Sequence, residues 1–456
     1  VKGELDITWV MIAAVLVLFM QAGFLLLEIG FSRQKNVGAG VAKVLVNLAT
    51  VSLAWWAVGF GIASLTGNKV FGTEGFFFHH GQMVGDVAVG GTDTALMLFG
   101  MLFCAVSLAI VWGTTLERIK FGAYVIYAAV FGAIIYPLVA HGVYGGGLLA
   151  DVGGKPVMDF AGSSVVHLTG AVGALAALLL LGPRIGKYAP DGRARAIPGH
   201  SMPLVGLGVA ILWVGWYGFN AGSTFGTTDN FFAEVALNTQ LAASAGVLGA
   251  CLVVYAKTRS LDVGMAGNGA IAGLVGITAP SGFVEFWAAP IIGLVAGVIV
   301  VYGVYAIEKR LDDPVGALSA HGLAGVWGTL AVGLFASDRL ILDGAAPGVW
   351  YGIFGGAELG ASAGQFAVQV VGVAATFALV FGLSYATFLA IKKTIGLRVS
   401  QEEEQAGLDI SSHGMFGYPE AFIPEEEYPG GAGPAPVPAA KPAAVTAIAA
   451  DRPSEA

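Results

Sequence analysis

The amino-acid sequence predicts an all-α polytopic membrane protein with eleven transmembrane helices, arranged as two inverted five-helix repeats followed by an eleventh helix. Three observations lead to this prediction: the composition, the recurrence of long apolar runs, and two matching segments far apart in the chain. Of the 456 residues, 56% are hydrophobic and 11% are charged, whereas soluble domains carry about 25% charged residues. The composition therefore excludes an ordinary soluble globular protein.

Apolar runs near or above the roughly 20 residues needed to cross a bilayer recur along the chain. Charged or Gly/Pro-rich breaks divide them into eleven predicted spans: 9–31, 42–65, 94–115, 121–143, 160–182, 203–222, 235–256, 263–279, 285–306, 314–337 and 362–391. The 69 glycines fit this prediction, because membrane helices pack closely through small residues.

Lys and Arg concentrate in alternate connections between the spans, as expected because cytoplasmic loops retain positive charge. Of the 22 Lys and Arg, sixteen fall in one set of connections, four in the opposite set and two in the distal tail. We therefore expect a protein of the cell membrane (inner or plasma membrane), with its amino terminus outside and its carboxyl terminus in the cytoplasm. A miscount by one span would destroy this alternation.

The same breaks define the predicted organisation of the chain. An outer N-terminal segment, after a removed signal peptide or a trimmed start, precedes the membrane domain, and a cytoplasmic tail and a Pro/Ala-rich disordered end follow it. The boundaries are 1–8, 9–391, 392–428 and 429–456, with repeat one at about 9–182, repeat two at about 203–337 and the eleventh helix at about 362–391. The net charge of −8 argues against a nucleic-acid partner.

Two nine-residue segments match each other, Asp159-Phe-Ala-Gly-Ser-Ser-Val-Val-His167 and Asp313-Pro-Val-Gly-Ala-Leu-Ser-Ala-His321. Five spans separate them, so they cross in opposite directions, as in transporters built from inverted repeats. At about 1.5 Å per residue each His lies roughly 12 Å below its helix start. In a hydrocarbon core of about 30 Å, this leaves the two some 6 Å apart in depth.

His167 and His321 are the histidines that fall well inside a predicted span. An ionisable side chain inside a membrane is costly and is a functional candidate. A neutral imidazole offers one donor and one acceptor nitrogen, so a pair can share a proton and still present a polar edge to a small guest. Core histidines bonded to backbone carbonyls and a metal site are the alternatives, although neither helix supplies a third metal ligand nearby.

Three further carboxylates in or next to the spans are interpreted as structural. Asp159 and Asp313 stand at the starts of their helices, where a carboxylate caps the first backbone amides. Glu28 and Gln21, seven residues apart on one helical face, are expected to make packing contacts near the inner end of span one.

The Asp159–His167 segment, Gly215-Trp-Tyr-Gly-Phe-Asn-Ala-Gly-Ser223 and Ser319-Ala-His321-Gly-Leu-Ala-Gly resemble the signature segments of the Amt/Rh ammonium transporter family, in its bacterial Amt form. The resemblance covers roughly nine tenths of the chain. It implies an outer vestibule for substrate, a phenylalanine gate, a pore and two supporting carboxylates. The corresponding residues are Phe99, Phe103, Tyr144 and Ser223 for the vestibule; Phe103 and Phe219 for the gate; His167, His321 and Trp216 for the pore; and Asp159 and Asp313 for support.

The resemblance also implies a function: recruitment of ammonium in the vestibule, its deprotonation, and conduction of ammonia through the hydrophobic pore, with or without net proton movement. Methylammonium is the expected analogue, and no cofactor, metal or enzymatic activity is expected. Tyr144 stands where the family often has Trp, a stronger cation–π face. A homotrimer and a PII-type signalling protein at the cytoplasmic face are the implied partners, although His413-Gly-Met-Phe-Gly-Tyr-Pro departs from the usual family end.

Other function classes remain open at this point. An ammonium sensor or receptor would be expected to carry an output domain, and the short tail shows no pattern for one. A neutral gas channel of the Rh type for ammonia or carbon dioxide is a further alternative, against which the aromatic and hydroxyl residues of the vestibule favour a cation site. An enzyme would need a nucleophile or a metal set in the pore, and the sequence suggests neither.

Overall fold

The computed structural model describes residues 2–84, 87–88 and 90–419, and the regular secondary structure of this part is almost entirely helical. The chain divides into two compact units, 1–417 and 418–456, and the helices described below belong to the first. A short antiparallel hairpin pairs Met83–Val84 with Val87–Ala88. The predicted end of the tail, 420–428, and the predicted disordered segment, 429–456, lie outside the described residues.

Ten helices in the described residues are long and apolar enough to cross a membrane. A shorter apolar helix, Val263–Thr278, stands between the seventh and the eighth of them. Numbered in chain order as helices 1 to 11, they are Lys2–Phe31, Gln34–Ala63, Gly91–Thr114, Phe121–Tyr144, Ser163–Leu181, Met202–Thr224, Thr228–Thr258, Val263–Thr278, Ala288–Ile307, Leu318–Phe335 and Leu359–Thr394.

Several helix starts differ from the predicted boundaries. Helix 1 begins at Lys2, so most of the polar segment predicted to precede it is helical. Helix 2 begins at Gln34 instead of residue 42, and it carries Lys43 in a buried position. The hydropathy pattern does not predict residues 34–41 as part of helix 2, because this segment begins with polar side chains. Contacts with neighbouring elements stabilise these side chains, and a single sequence does not reveal such contacts.

Four of the helices contain a π-helical turn, which the sequence analysis did not anticipate. These turns are Trp55–Gly59, Phe131–Ile135, Ser163–Leu168 and Leu318–Leu323. The last two hold His167 and His321, and π turns inside α-helices are frequent at functional sites. A π turn shifts the side chains that follow it around the helix axis, so it redirects residues without ending the helix.

Small residues bring helices 7, 8 and 9 into backbone contact. A Cβ added at Gly293 of helix 9 would lie 2.0 Å from the carbonyl oxygen of Ala242, and one added at Gly297 would lie 2.2 Å from that of Gly246. Glycines at Gly269 and Gly273 of helix 8 face the same stretch of helix 7 at comparable distances. This is the close packing through small residues that membrane helices use.

Five charged residues, four of them buried, form a cluster at the end of the fold opposite Tyr144, here called the Asp312 cluster: Arg33, which is half-buried, and Glu117, Arg118, Arg184 and Asp312. Arg184 donates to both carboxylate oxygens of Asp312, each at 2.9 Å. Arg33 binds Glu117 through its backbone amide at 2.6 Å and its guanidinium at 2.7 Å. Burial alone would raise the pKa of Asp312, but hydrogen bonds from Arg184 and the charge of Arg118 lower it to about 2.

The first part of the tail packs against this same end. Asp409 accepts a hydrogen bond from the backbone amide of Ala39, near the start of helix 2, at 2.9 Å. Glu404 pairs with Arg398 at 2.6 Å and accepts from the amide of Ile185 at 2.7 Å. Two buried carboxylates thus attach the tail to the start of helix 2 and to the connection that follows helix 5.

Candidate functional site

A cavity of about 560 Å³ opens at the end of helix 4 that holds Tyr144. All four residues predicted for the outer vestibule line it, namely Phe99, Phe103, Tyr144 and Ser223. We call this cavity the vestibule. Its walls come from separate parts of the chain, so the fold brings together residues that the sequence places more than 100 positions apart.

The four predicted vestibule residues present three aromatic rings and the hydroxyl of Ser223. Phe99 and Phe103 have ring centroids 4.4 Å apart, while Tyr144 is 42% exposed at the mouth. The hydroxyl of Ser223 donates to the carbonyl oxygen of Phe219 at 2.8 Å. Because its one proton is used there, the Ser223 oxygen keeps acceptor capacity for a donor in the cavity.

Phe103 and Phe219 close the floor of the vestibule. Their rings are stacked with centroids 3.9 Å apart and an interplanar angle of 7°. Both side chains are buried, and Phe219 also lies 5.4 Å from the ring of His167. The stack therefore stands between the vestibule and the two histidines.

His167 and His321 meet below the stack. Their Nδ1 atoms are 3.2 Å apart and their ring centroids 5.2 Å apart, so the predicted meeting of the two rings is present. Trp216 stacks on His167 at 5.1 Å and donates its indole N–H to Thr278 of helix 8 at 2.9 Å. His167 Nε2 is buried and has no hydrogen-bond partner within the protein.

Asp159 and Asp313 hold the turns that precede the two histidines. The Asp159 carboxylate accepts four backbone amides, those of residues 162 to 165, at 2.8 to 2.9 Å. Asp313 accepts the amides of Val315, Gly316 and Leu318 at 2.8 to 3.3 Å. Both helices begin several residues after their Asp, at residues 163 and 318, and not at the Asp as expected.

A positive φ at one glycine of each turn allows the chain to fold back over its carboxylate. Gly162 has φ +113° and Gly316 has φ +75°, values that L side chains rarely adopt. Burial raises the pKa of Asp159, although the backbone amides act in the opposite direction. Burial likewise raises the pKa of Asp313 against the amides that it accepts.

Two cavities continue from the histidines away from the vestibule. The first, of about 20 Å³, is lined by His321, Glu28 and Asn268 among apolar side chains, and we call it the Glu28 cavity. The second, of about 350 Å³, is the Lys187 cavity, and it shares Asn268 and Val315 with the first. Vestibule, stack, histidine pair and these two cavities therefore form one sequence of sites through the protein.

The side chain of Glu28 is buried, which agrees with the packing role predicted for it, but it also borders a cavity. Neither of its carboxylate oxygens has a hydrogen-bond partner within the protein. Gln21, on the same helical face, does make a polar contact, because it accepts a hydrogen bond from Asn47 at 3.4 Å. Helical spacing alone does not distinguish a side chain that packs from one that faces a cavity.

Several vestibule residues were not identified from the sequence, among them Trp55, Tyr136, Phe160 and Phe225. Phe225 has φ +52°, an uncommon backbone conformation for a bulky residue. Its position two residues after Ser223, and that of Phe160 directly after Asp159, could have suggested both. Trp55 and Tyr136 carry no local signal, since tertiary packing alone brings them to the cavity.

The sequence is similar to proteins named as ammonium transporters. The profile of the Ammonium Transporter Family matches residues 8–418. The Archaeoglobus fulgidus ammonium transporter Amt2 is 43% identical over 433 residues, which cover 93% of this chain and 90% of that protein. The Bacillus subtilis ammonium transporter is 33% identical, over 91% of this chain and 99% of that protein.

Solved structures agree with this assignment. A structure titled "Sensor Amt Protein" superimposes with a TM-score of 0.82 at 34% identity, over 90% of this chain and 99% of that one. Candida albicans Mep2 superimposes with a TM-score of 0.76 at 27% identity, over 88% and 87%. The profile and both relatives span the helices that build the vestibule and the histidine pair. The chain therefore belongs to the Ammonium Transporter Family.

Proposed function

We propose that this protein recruits ammonium in the vestibule, removes a proton from it, and conducts ammonia past His167 and His321. The observation that carries the proposal is the order of sites along one path, with an aromatic cavity, a stacked phenylalanine pair and a buried histidine pair in succession. Each of these features has a separate chemical task. Together they supply a way to select ammonium and to pass it through a membrane in neutral form.

Capture of the cation depends on the vestibule walls. An ammonium ion over an aromatic face gains about 0.5–2 kcal/mol, and Phe99, Phe103 and Tyr144 offer three such faces. The Ser223 oxygen accepts one of the ammonium protons. Sodium could use the same aromatic faces and oxygen, but it cannot shed a proton, and the apolar path beyond does not replace its hydration shell.

Passage of the ion beyond the stack is opposed by the apolar surroundings. Burying an isolated charge costs far more than burying a neutral polar group, so the free energy favours ammonia beyond Phe103 and Phe219. The histidine pair then offers hydrogen-bonding nitrogens where the rest of the lining is apolar. Net proton movement follows if the released proton crosses the Nδ1–Nδ1 contact.

Eleven membrane spans in two inverted repeats are part of the same proposal. Helix 8 has 16 residues, but it is almost wholly buried between neighbouring helices and need not match the full hydrocarbon thickness on its own. The repeat is supported by two turns with the same parts: an Asp that accepts backbone amides, a glycine with positive φ and a π-helical turn that holds a histidine.

The alternation of Lys and Arg supports an outer amino terminus and a cytoplasmic carboxyl terminus in the cell membrane. The vestibule then faces outwards. The tail, fixed by Asp409 and Glu404 to the other end, then lies where a cytoplasmic PII-type protein could reach it. We retain this partner and a homotrimer as proposals that follow from family membership.

An ammonium sensor is the second candidate, because the structure that superimposes at a TM-score of 0.82 is titled "Sensor Amt Protein". The vestibule would serve a sensor equally well. The two candidates differ at the histidines, because a sensor needs to bind ammonium without passing it on. A neutral gas channel of the Rh type would pass ammonia, unlike the sensor, but would produce no current.

The test is growth of cells that lack their own ammonium uptake, at low external ammonium and mildly acidic pH. The parent chain should restore growth, and His167→Ala should abolish it, because the alanine removes the polar lining of the pore. Phe377→Ala, in a stacked pair on helix 11 that lies outside the vestibule, is the matched control and should grow as the parent does. No rescue by membrane-inserted parent protein would favour the sensor.

A further inference from the structure

Glu28 is a buried carboxylate for which the proposed pathway so far gives no role. It is 1% exposed, and both of its oxygens lack a hydrogen-bond partner within the protein. Desolvating a carboxylate without partners is costly, and ionisable groups inside membrane helices mark substrate or proton pathways. Its position therefore calls for a function.

The cavity beside Glu28 has the size of one small molecule. Its volume is about 20 Å³, and a cavity needs about 10–15 Å³ to hold a water molecule. Ammonia has nearly the size of water. The polar groups that line the cavity are Glu28, Asn268 and His321, which meets the requirement of two to four polar partners for a small polar guest.

Glu28 lies at this cavity because of the face of helix 1 on which it stands and because a glycine lies opposite it on helix 3. Phe24, one turn earlier, and Leu27 line the same cavity, so this face of helix 1 points to the pore. A Cβ added at Gly113 of helix 3 would lie 3.7 Å from a Glu28 oxygen and 2.8 Å from a methyl of Val315. Glycine at this position leaves the space open.

None of the charged or titratable groups near Glu28 donates a hydrogen bond to its carboxylate. Lys43 of helix 2 attracts it electrostatically but makes no hydrogen bond to its oxygens. Tyr124 of helix 4 donates its hydroxyl to the backbone carbonyl of Lys43. Glu117 and Arg118, farther along, belong to the Asp312 cluster, so His321 is the titratable group that shares the cavity with Glu28.

We propose that Glu28 returns a proton to ammonia once the ammonia has passed His321, an inference that rests on the proposed transport function. The O–H bond of the Glu28 carboxyl breaks as a new N–H bond forms, and ammonium leaves through the Lys187 cavity. The carboxylate is then protonated by the proton that ammonium released at the vestibule, carried across His167 and His321. One ammonium enters and one leaves, so one positive charge crosses per cycle.

The Lys187 cavity can serve as the exit for ammonium because it adjoins the Glu28 cavity. Asn268 and Val315 line both the Glu28 cavity and the Lys187 cavity. The wall of the wider cavity holds the carboxylates Asp262, Glu308 and Asp313 and the cations Arg184 and Lys187. Both cations are paired, Lys187 with Glu308 and Arg184 with Asp312. A proton delivered at Glu28 therefore converts the guest to its charged form where charged and polar groups begin to line the path.

The experiment uses the purified full chain in liposomes with two readouts. One is the current evoked by an ammonium jump, and the other is the internal pH reported by an enclosed dye, which rises when ammonia enters without its proton. Glu28→Gln keeps the shape of the side chain and removes the transferable proton. We expect its current to fall at least about tenfold, the low end of general acid–base effects, while internal alkalinisation exceeds that of the parent.

Two further variants make the result specific. Glu28→Asp retains a carboxyl and should keep more current than Glu28→Gln. Glu285→Gln, which removes a carboxylate paired with Arg339 outside the pore, should carry the parental current. Each variant is first required to elute as a monodisperse species in detergent.

The outcomes separate the inference from the proposed function. A parental current in Glu28→Gln would overturn the inference and leave transport intact. Loss of both current and alkalinisation in Glu28→Gln would also overturn it, since Glu28 would then only shape the pore. A parent chain that gives neither signal above empty liposomes would refute the proposed function and, with it, the basis of the inference.

Discussion

The Nδ1 atoms of His167 and His321 lie 3.2 Å apart. Two neutral imidazoles carry one N–H each, so at this contact one Nδ1 donates and the other accepts. The donating ring is left with a bare Nε2, and the accepting ring carries its proton on Nε2. The pair therefore presents one donor and one acceptor outward, and exchange of tautomers reverses its direction.

The gate provides a first prediction. Phe219 contacts both Phe103, at 3.9 Å, and His167, at 5.4 Å, whereas Phe103 contacts Phe99, at 4.4 Å, and Phe219. Phe219→Ala should lower uptake of labelled methylammonium about tenfold or more, or about 1.4 kcal/mol in barrier, and should exceed the effect of Phe103→Ala. Equal losses in the two variants would show that Phe219 acts only through its stack with Phe103 and that its contact with His167 has no effect on uptake.

Tyr144 provides a second prediction. It lines the vestibule and is partly exposed; a cation–π contact at an exposed site is worth about 0.5–1 kcal/mol in all, and Trp is the strongest face. Tyr144→Trp should lower the half-saturating ammonium concentration by no more than about fivefold, and Tyr144→Leu should raise it. An increase in Tyr144→Trp would indicate that the phenol oxygen, which Trp lacks, binds the ion.

The carboxylate of Asp159 provides a third prediction, for stability. Its four backbone hydrogen bonds hold the turn before His167, and bonds to a charged acceptor are worth about 1.5–3 kcal/mol each. Asp159→Ala should lower the thermal unfolding temperature in detergent more than Asp313→Ala, which removes three. Asp343→Asn, at an exposed position, should leave it unchanged.

The Asp312 cluster provides a fourth prediction, on pH. The folded-state pKa of Asp312 is lowered to about 2, whereas the unfolded value is about 3.9. Its contribution to stability, about 2–3 kcal/mol, is complete above about pH 4 and is lost as the pH falls through 2. Unfolding temperatures of the parent should therefore fall between pH 4 and 2, and Asp312→Asn should flatten that part of the profile. A parallel fall in the variant would assign the acid sensitivity to other groups.

Much of this architecture was predictable because membranes impose a strong pattern. The long apolar runs give helices 3 and 4 within a few residues, since hydropathy directly reflects burial in lipid. The two histidines were identified because a titratable residue inside an apolar run is rare. The matched spacing from Asp159 to His167 and from Asp313 to His321 then related them to each other.

Other features depend on packing between distant segments and have no local signature. The π turns at Ser163–Leu168 and Leu318–Leu323 arise where Asp159 and Asp313 draw several amides towards one carboxylate. Glu28 lies on the same face as Gln21, and only the positions of Gly113 and Val315 reveal that it faces a cavity. The polar start of helix 2 is likewise stabilised by the tail, some 370 residues away in sequence.

The Asp312 cluster has a consequence for the biogenesis of the protein. Arg33 precedes its partner Glu117 by 84 residues, and Arg184 precedes Asp312 by 128. During synthesis Arg33 therefore leaves the ribosome well before Glu117, and Arg184 well before Asp312, although Arg184 also pairs with Glu117, which precedes it. On the orientation proposed above, these positive charges retain their loops on the cytoplasmic side while the helices insert. The guanidinium group of Arg184, which then orients the nascent chain, is later bound to Asp312 and joins the loop after helix 5 to the loop before helix 10.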